Sequence, residues 1–125
     1  MITLSKEQVK RLHRILLEST GGLDGIREEA LLDSALAAPF QTFDGAELYH
    51  STTAKIARMA YCLVCNHPFV DGNKRIGTYV MLVLLKVNNI EANFTDDDVV
   101  HIGLELAKGA MNDKQLLDII LERLE

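Results

Sequence analysis

The residues with the clearest chemical potential lie in one stretch, residues 67–77, where a polar loop runs into the most apolar segment of the chain. The pattern predicts that a helix begins inside this stretch. The first backbone N–H groups of a helix have no internal partners and carry the positive end of the helix dipole. Gly72 lacks a Cβ and lets the backbone approach a ligand closely. We therefore expect the N–H groups of Asn73, Lys74 and Arg75 to bind phosphate.

The side chains of this stretch add a second set of clues. Lys74 and Arg75 supply two positive charges, and a guanidinium can bind two phosphate oxygens at once. Asp71 would be repelled by phosphate unless a cation lay between them, and Mg²⁺ is the cation that binds one carboxylate together with phosphate oxygens. An imidazole can be neutral at physiological pH, so His67 is a candidate general base for a hydroxyl.

A simpler interpretation applies to each of these residues taken alone. A His-Pro turn followed by Asp-Gly-Asn is typical of a helix-to-helix connection, with Asp71 or Asn73 as an N-cap. The combination of a histidine with two adjacent cations favours the phosphate site, because a turn requires neither.

Size and composition limit the class of protein. The chain has 125 residues, enough for one domain with its own core, and we expect residues 1–125 to form that single domain. A net charge of -5 disfavours a nuclease, a repressor or any other direct nucleic-acid binder. No signal peptide precedes the first predicted helix, and the longest apolar run, residues 80–85, is too short to cross a bilayer, so we expect a cytoplasmic protein with no membrane contact.

Two other groups invite a metal interpretation. Cys62 and Cys65 form a C-x-x-C pair, but no further ligands follow at matching spacing, so we interpret them as buried free thiols. Three acids at 96–98 are interpreted as residues of a helix start, which stabilise the positive end of the dipole.

Apolar periodicity and capping residues predict an all-α fold of about six helices around a central buried one. The predicted helices are residues 5–18, 27–37, 51–66, 73–88, 95–108 and 112–124. The fourth is apolar on nearly every side, and its interior Gly77 indicates that another helix crosses closely there. In the first helix, His13 is interpreted as a surface or half-buried residue. Lys55 and Arg58 are placed on the polar side of the third.

The segment between the second and third helices, residues 40–50, is predicted to be a connector with a turn at Asp44-Gly45. Its large apolar residues are interpreted as core packing: Phe40, Phe43, Leu48 and Tyr49.

The stretch at 67–77, together with the rest of the chain, resembles the Fic/Doc family, most closely its death-on-curing branch. The family motif is H-x-F-x-(D/E)-G-N-(G/K)-R, and this chain matches it in order with His67, Phe69, Asp71, Gly72, Asn73, Lys74 and Arg75. The resemblance extends to the glycine-rich stretch at 21–27 and to the helices that contain Leu31 and Lys55.

The resemblance implies a role for each matched residue. His67 would deprotonate a target hydroxyl, Asp71 would bind Mg²⁺, and Asn73, Lys74 and Arg75 would hold phosphate. Phe69 would be buried beneath the loop. A flap that aligns the backbone of the target would consist of Gly21, Gly22, Leu23, Asp24 and Gly25.

Two departures from the AMP-transferring Fic enzymes favour the death-on-curing branch. Those enzymes have glycine where this chain has Lys74, and a second arginine where it has Thr78. Death-on-curing proteins share the lysine and resemble kinases that transfer the γ-phosphate of ATP. Their target is a threonine of elongation factor Tu, and their restraint is a separate antitoxin of the prevents-host-death type. AMP transfer to a protein hydroxyl and a catalytically inactive helical module that binds a partner remain the alternatives.

Overall fold

The computed structural model describes residues 1–125 and contains six α-helices, as the sequence predicts. Their bounds are α1 Lys6–Thr20, α2 Glu29–Ala37, α3 Thr52–Cys65, α4 Asn73–Val87, α5 Asp96–Ala107 and α6 Asp113–Glu122. A single 3₁₀ turn, Ala38–Phe40, follows α2. All but one of the buried apolar residues form one cluster, to which every helix contributes. None of the helices has the length and apolar character needed to cross a membrane.

Helices α3 and α4 together occupy the centre. Helix α4 packs against α1, α3 and α5, and α3 packs against α2, α4, α5 and α6. The two central helices cross at Gly77, where an added Cβ would lie 2.4 Å from Cγ2 of Val64 and 3.1 Å from the carbonyl oxygen of Ala60. The close crossing predicted from this glycine is therefore present.

Four helix starts are capped by the side chains that the sequence contains for this purpose. Ser5, Thr95 and Asn112 form capping boxes at the starts of α1, α5 and α6. Ser51 accepts the N–H of Ala54 at the start of α3. Because these contacts are made within four residues, the helix starts could be recognised from sequence alone.

The segment between α2 and α3 differs from the prediction. The turn at Asp44-Gly45 is present, but it joins a short antiparallel hairpin, β1 Thr42–Phe43 with β2 Ala46–Glu47. Phe40, Phe43 and Leu48 are 42%, 75% and 51% exposed, so the expectation that they pack in the core is wrong. The hairpin lies on the surface, and all four of its strand residues are exposed.

The assignment of Lys55 to a polar face was also wrong. Lys55 is 6% exposed, and its ammonium donates to the carbonyl oxygen of Tyr49 and lies 3.4 Å from a carboxylate oxygen of Glu47. A buried ammonium is tolerated only when it is paired and hydrogen-bonded. Here the end of the hairpin supplies both partners, and these come from outside the helix on which the prediction was made.

Candidate active site

A cleft of about 550 Å³ opens at the N-terminus of α4. Most of the motif residues face it, and from the other side α5 contributes its last residue. The lining residues are His67, Val70, Asp71, Gly72, Asn73, Lys74, Arg75 and Ala107. The structure therefore brings the predicted base, the predicted metal ligand and the two predicted phosphate-binding cations to one cavity.

Helix α4 begins differently from its neighbours, because no side chain caps it. Its N-cap is Gly72, which has a left-handed φ of 79°. The backbone N–H groups of Asn73, Lys74 and Arg75 have no hydrogen-bond partner in the protein. Three donors and the positive end of the helix dipole therefore face the cleft, which is the arrangement that binds anions at helix N-termini.

The two cations are held differently. Lys74 is exposed and makes no ion pair. Arg75 reaches back to the end of α1, where its Nη1 donates to the hydroxyl of Thr20 and, at 3.0 Å, to the carbonyl oxygen of Gly21. Its Nη2 lies 3.8 Å from Oδ1 of Asp71. Lys74 is thus free to meet an anion, whereas only part of the Arg75 guanidinium is.

The carboxylate of Asp71 is held by two backbone N–H groups. Gly72 donates to Oδ1 at 2.8 Å and Leu23 donates to Oδ2 at 3.2 Å. These donors, Leu23 first and then Gly72, lower the pKa of Asp71 below its ordinary value, and the positive charge of Arg75 lowers it further. The group is ionised at neutral pH and is 47% exposed.

These features fit the proposed Mg²⁺. Each oxygen of the Asp71 carboxylate accepts a single backbone hydrogen bond, which leaves lone pairs for a metal. No group of three or more histidine, cysteine, aspartate or glutamate side chains could hold a metal by itself. Mg²⁺ commonly binds through one or two carboxylates with the remaining positions taken by phosphate oxygens and water, and a single carboxylate at the cleft fits that pattern.

The backbone of His67 is held, while its ring is free. His67 has a left-handed φ of 49°, and its carbonyl oxygen accepts a 2.7 Å hydrogen bond from Nε of Arg27. Nη2 of the same arginine donates to the carbonyl oxygen of Asn66 at 3.0 Å. The imidazole is exposed at the cleft and makes no hydrogen bond within the protein, so either ring nitrogen is available to a substrate.

The side chain of Asn73 points inward. Its Oδ1 accepts the N–H of Phe69 and its Nδ2 donates to the carbonyl oxygen of Phe69, both at 3.0 Å. Asn73 is 9% exposed. Its contribution to a phosphate site is therefore its backbone N–H, and its side chain fixes the loop that contains His67 and Asp71. We call residues 67–72 the motif loop.

The predicted flap, residues 21–25, lies along the motif loop. Val70 donates to the carbonyl oxygen of Gly25 at 3.0 Å, Arg27 donates to that of Pro68 at 2.8 Å, and Ile26 forms an antiparallel bridge with Phe69. In this pattern the N–H and C=O of Ile26 point away from the motif loop, and neither has a partner. The segment thus presents one open backbone edge beside the cleft.

Two supporting residues were missed from the sequence. Arg27, described above, is one. The other is His13, which is only 1% exposed and is not the surface or half-buried residue that we expected. Its spacing from Val9 and Leu17, both buried on the same face of α1, was the available signal for its burial. No local signal indicated that Arg27 reaches the end of α3.

Thr78, the second of the two positions that distinguish the branches, carries no cation. Oγ1 of Thr78 donates to the carbonyl oxygens of Lys74 and Arg75, at 3.0 and 3.2 Å, and the residue is 6% exposed. Its hydroxyl is used within its own helix. Lys74 and Arg75 therefore supply the positive side chains at the cleft.

The remaining candidates lie outside the cleft. Both cysteines are free; Cys62 is buried and Cys65 is partly buried, and burial raises the pKa of each thiol. Asp98, in the acidic group at the start of α5, pairs with Arg123 at 3.2 Å. The two thiols are thus unpaired as predicted, and Asp98 contributes an ion pair with the residue that follows α6.

Comparison with known proteins agrees with the geometry. The family model described as Fic/DOC family matches residues 3–85, which extend from before α1 to near the end of α4. A protein of Mycolicibacterium smegmatis described as Toxin Doc is 34% identical to this chain over 89 residues, or 70% of this chain and 68% of that protein.

Proposed function

The chain belongs to the Fic/DOC family, and on that premise we propose that it is the toxin of a toxin-antitoxin pair. In this proposal it transfers the γ-phosphate of ATP to a serine or threonine hydroxyl of a translation protein such as elongation factor Tu, and so arrests translation in the cytoplasm. The similarity to Toxin Doc supports the toxin assignment.

The observation that carries the proposal is the start of α4. Three unpartnered backbone N–H groups and the unpaired ammonium of Lys74 converge on one cleft. Such preorganised donors stabilise charge that develops on a transferred phosphoryl group without having to reorganise during the reaction. Phosphoryl transfer depends chiefly on positioning and on this kind of electrostatic stabilisation.

Asp71 is the residue that would hold Mg²⁺, with phosphate oxygens as further ligands. When bound, the ion would neutralise charge on the phosphates. The two N–H groups that bind the carboxylate keep it ionised and fix its direction. Arg75, 3.8 Å from the same carboxylate, would then be drawn toward phosphate oxygens with its free N–H groups.

The acceptor side of the reaction would use His67 and the flap. The free imidazole would take the proton of the target hydroxyl while the hydroxyl oxygen forms a bond to the γ-phosphorus. At the same time the bond between that phosphorus and the oxygen of the departing nucleoside diphosphate would break. An extended target segment can pair with the open N–H and C=O of Ile26. That pairing would place one side chain of the target at the cleft.

Transfer of γ-phosphate rather than AMP is favoured by two positions. Lys74 brings a long side chain to the helix start, where a glycine would leave room for the α-phosphate. Thr78, with its hydroxyl bonded inside α4, offers no clamp to the outer phosphates. Both positions therefore favour an orientation of ATP in which the γ-phosphate, rather than the α-phosphate, lies at the start of α4.

A second groove beside the cleft suits the expected antitoxin. It has a volume of about 310 Å³ and is lined by Lys74, Arg75, Thr78, Val99, Val100, Gly103 and Leu104. Val100 and Leu104 are 60% and 48% exposed. An apolar helix with an acidic residue, supplied by an antitoxin of the prevents-host-death type, would cover these residues and neutralise the two cations.

The decisive experiment follows label from ATP. The purified chain is incubated with elongation factor Tu and Mg²⁺, in parallel with γ-³²P ATP and α-³²P ATP. We expect label on the acceptor from γ-³²P ATP only. Label from α-³²P ATP would establish AMP transfer instead.

The matched variants are His67→Ala and His101→Ala, since His101 is exposed on α5 outside the cleft. Loss of a general base should slow transfer by roughly 10²- to 10⁴-fold and abolish growth arrest in cells. His101→Ala should retain both activities. Growth arrest that survives His67→Ala would favour the inactive partner-binding module.

A further inference from the structure

His13 occupies an unusual position for a polar residue. It lies on the buried face of α1, one turn from Val9 and one turn from Leu17, and is 1% exposed. Its ring stacks on that of Phe69, with 3.8 Å between the centroids and 11° between the planes. An aromatic hydrocarbon would satisfy this stacking equally well, so stacking alone does not account for an imidazole here.

The imidazole makes one directed contact that a hydrocarbon cannot make. Nε2 of His13 donates to the backbone carbonyl oxygen of Asp71 at 2.7 Å. A carbonyl oxygen only accepts, so the proton lies on Nε2. The other ring nitrogen, Nδ1, faces the flap, 3.7 Å from Oδ1 of Asp24.

That carbonyl belongs to the peptide group that also delivers a hydrogen bond to the Asp71 carboxylate. The N–H of this peptide group is that of Gly72, which donates to Oδ1 of Asp71 at 2.8 Å. Because a peptide group is planar, fixing its oxygen fixes the direction of its N–H. Gly72, with a φ of 79°, is the residue at which the peptide could otherwise rotate most freely.

The rest of the motif loop is fixed by other residues. Asn73 holds both backbone groups of Phe69, and Arg27 holds the carbonyl oxygen of His67. Only His13 holds the carbonyl oxygen of Asp71, and it does so from a helix 58 residues earlier in sequence.

We propose that His13 is a positioning residue: its Nε2–H sets the orientation of the 71–72 peptide and thereby the direction of the Asp71 carboxylate. The inference rests on the proposed function for its catalytic consequence, since Asp71 is there the Mg²⁺ ligand. Residues that orient a metal ligand without contacting the metal typically change affinity or activity by roughly 10- to 100-fold when removed.

The test uses three variants of the full chain. His13→Phe keeps a ring against Phe69 and removes the donor. His13→Gln removes the ring and keeps an N–H donor at about the same distance from the backbone. Val9→Ala shortens a core residue of the same face of α1 and serves as the control for a general loss of packing.

Two readouts are independent of catalysis. The amide signals of Gly72 and Asn73 in ¹⁵N NMR spectra report the loop itself, and Mn²⁺ binding in the presence of a non-hydrolysable ATP analogue, followed by EPR, reports the carboxylate. We expect His13→Phe to shift both amide signals and weaken Mn²⁺ binding by roughly 10- to 100-fold. His13→Gln should remain close to the wild type in both, and Val9→Ala should leave both unchanged while lowering Tm.

Unchanged amide signals in His13→Phe would overturn the proposal. So would equal losses in His13→Gln and His13→Phe, because the ring and not the donated bond would then be responsible. If the wild-type chain bound no Mn²⁺ with nucleotide, the proposed function would fail while the amide signals still decided the role of His13. The ¹⁵N spectrum of the wild-type imidazole gives an answer even if the variants do not fold: the proposal requires the proton on Nε2, and a proton on Nδ1 alone contradicts it.

Discussion

Asn73 shows how one side chain organises the site without facing the ligand. Its amide satisfies both backbone groups of Phe69, and this closes the motif loop on itself directly before α4 begins. The N-terminus of α4 is left open because its N-cap is Gly72, which has no side chain to accept a backbone N–H. The asparagine therefore stabilises the loop, and its side chain does not occupy the helix amides that face the cleft.

Replacement of Asn73 should accordingly cost stability and activity together. In Asn73→Ala the N–H and C=O of Phe69 lose their partners in a buried environment, which we expect to cost about 1–3 kcal/mol for each group that stays unsatisfied. Urea unfolding measures the loss, and phosphoryl transfer should fall with it.

Asn93 provides the control for this prediction. It is exposed and its side chain makes no hydrogen bond, so Asn93→Ala should unfold at nearly the wild-type urea concentration. Equal stability of the two alanine variants would show that the Asn73 amide does not hold the loop.

His67 combines a fixed backbone with a free ring. A left-handed conformation is uncommon for a residue other than glycine, and here the guanidinium of Arg27 binds the carbonyl oxygens of Asn66 and His67. Unusual backbone conformations at functional sites persist when surrounding contacts enforce them. The imidazole is thereby directed to the cleft without any bond to the ring itself.

At the scale of elements, the position of the flap depends on Gly22. Its backbone lies so close to Asp71 that a residue with a Cβ would not fit without a shift. A Cβ on Gly22 would lie 2.7 Å from Oδ2 of Asp71 and 2.9 Å from Cδ2 of Leu17, and its φ is 124°. Either the flap or the side chains of Asp71 and Leu17 must shift if that Cβ is added, and the shift would disturb the hydrogen bond from Leu23 to the carboxylate.

We therefore expect Gly22→Ala to reduce phosphoryl transfer strongly. The variant should also lose stability, because a strained backbone conformation costs roughly 1–3 kcal/mol. Gly109→Ala is the matched control, since Gly109 also has a positive φ, 77°, but has nothing within 4 Å of the added Cβ and lies outside the cleft. Gly109→Ala should lose similar stability but retain phosphoryl transfer. Thermal unfolding and transfer assays on both variants test this, and an equal loss of transfer in the two would contradict the prediction.

The crossing of α3 and α4 depends on a second glycine of a different kind. Gly77 is helical, and alanine should stabilise a helix interior by about 1 kcal/mol relative to glycine. The added Cβ would, however, meet Val64 at 2.4 Å and the backbone of Ala60 at 3.1 Å. Overpacking should win and give a net destabilisation of about 1–3 kcal/mol.

Gly103 of α5 offers the contrasting case. Its nearest neighbour would lie 3.6 Å from an added Cβ, which is ordinary contact, so Gly103→Ala should stabilise the protein by up to about 1 kcal/mol. Chemical denaturation of the two variants should give opposite signs. In Gly77→Ala, the further change Val64→Ala should recover part of the loss; if it recovers none, close packing at this crossing is not the cause.

At the scale of the whole molecule, charge is unevenly distributed. The chain carries a net charge of -5, yet two cations, three unpaired amides and a helix dipole converge on one cleft. A local positive potential within an acidic protein suits a small anion better than an extended polyanion. Because acidic side chains outnumber basic ones, the ion pairs that carboxylates make are relevant to stability.

Asp98 is the best-defined of those carboxylates for a pH test. The guanidinium of Arg123, followed by the N–H of Thr95, lowers the pKa of Asp98 from 3.8 to about 2. A carboxylate with a lowered pKa in the folded state contributes stability above its ordinary pKa, and that contribution is lost as pH falls toward the folded value. The Tm difference between the wild type and Asp98→Asn should be constant from pH 7 to about 5, shrink below about 4 and vanish only below about 2.

Circular dichroism measures both melting curves, with Asp97→Asn as the control. Asp97 lies in the same helix turn and makes no ion pair, so its substitution should change Tm less at every pH. A Tm difference for Asp98→Asn that stayed constant down to pH 2 would exclude the Asp98–Arg123 pair as its source.

The sequence by itself determined the features that depend on near neighbours. Ser5 with Gln8 and Asn112 with Gln115 are capping pairs three residues apart, and Thr95 is a cap followed by acids; these near neighbours indicated three helix starts. Gly77, within an almost wholly apolar helix, indicated the close crossing. The order of the motif residues identified the candidate chemistry, because a helix start carries its unpaired amides wherever the helix is placed.

Only the tertiary structure decided which side chains support that chemistry. His13 reaches Asp71 across 58 residues, Arg27 reaches His67 across 40, and Arg75 reaches Gly21 across 54. The burial of Lys55 and the exposure of Phe43 likewise depend on where the hairpin lies. Such contacts depend on how whole helices pack together, and the few residues around either partner do not indicate them.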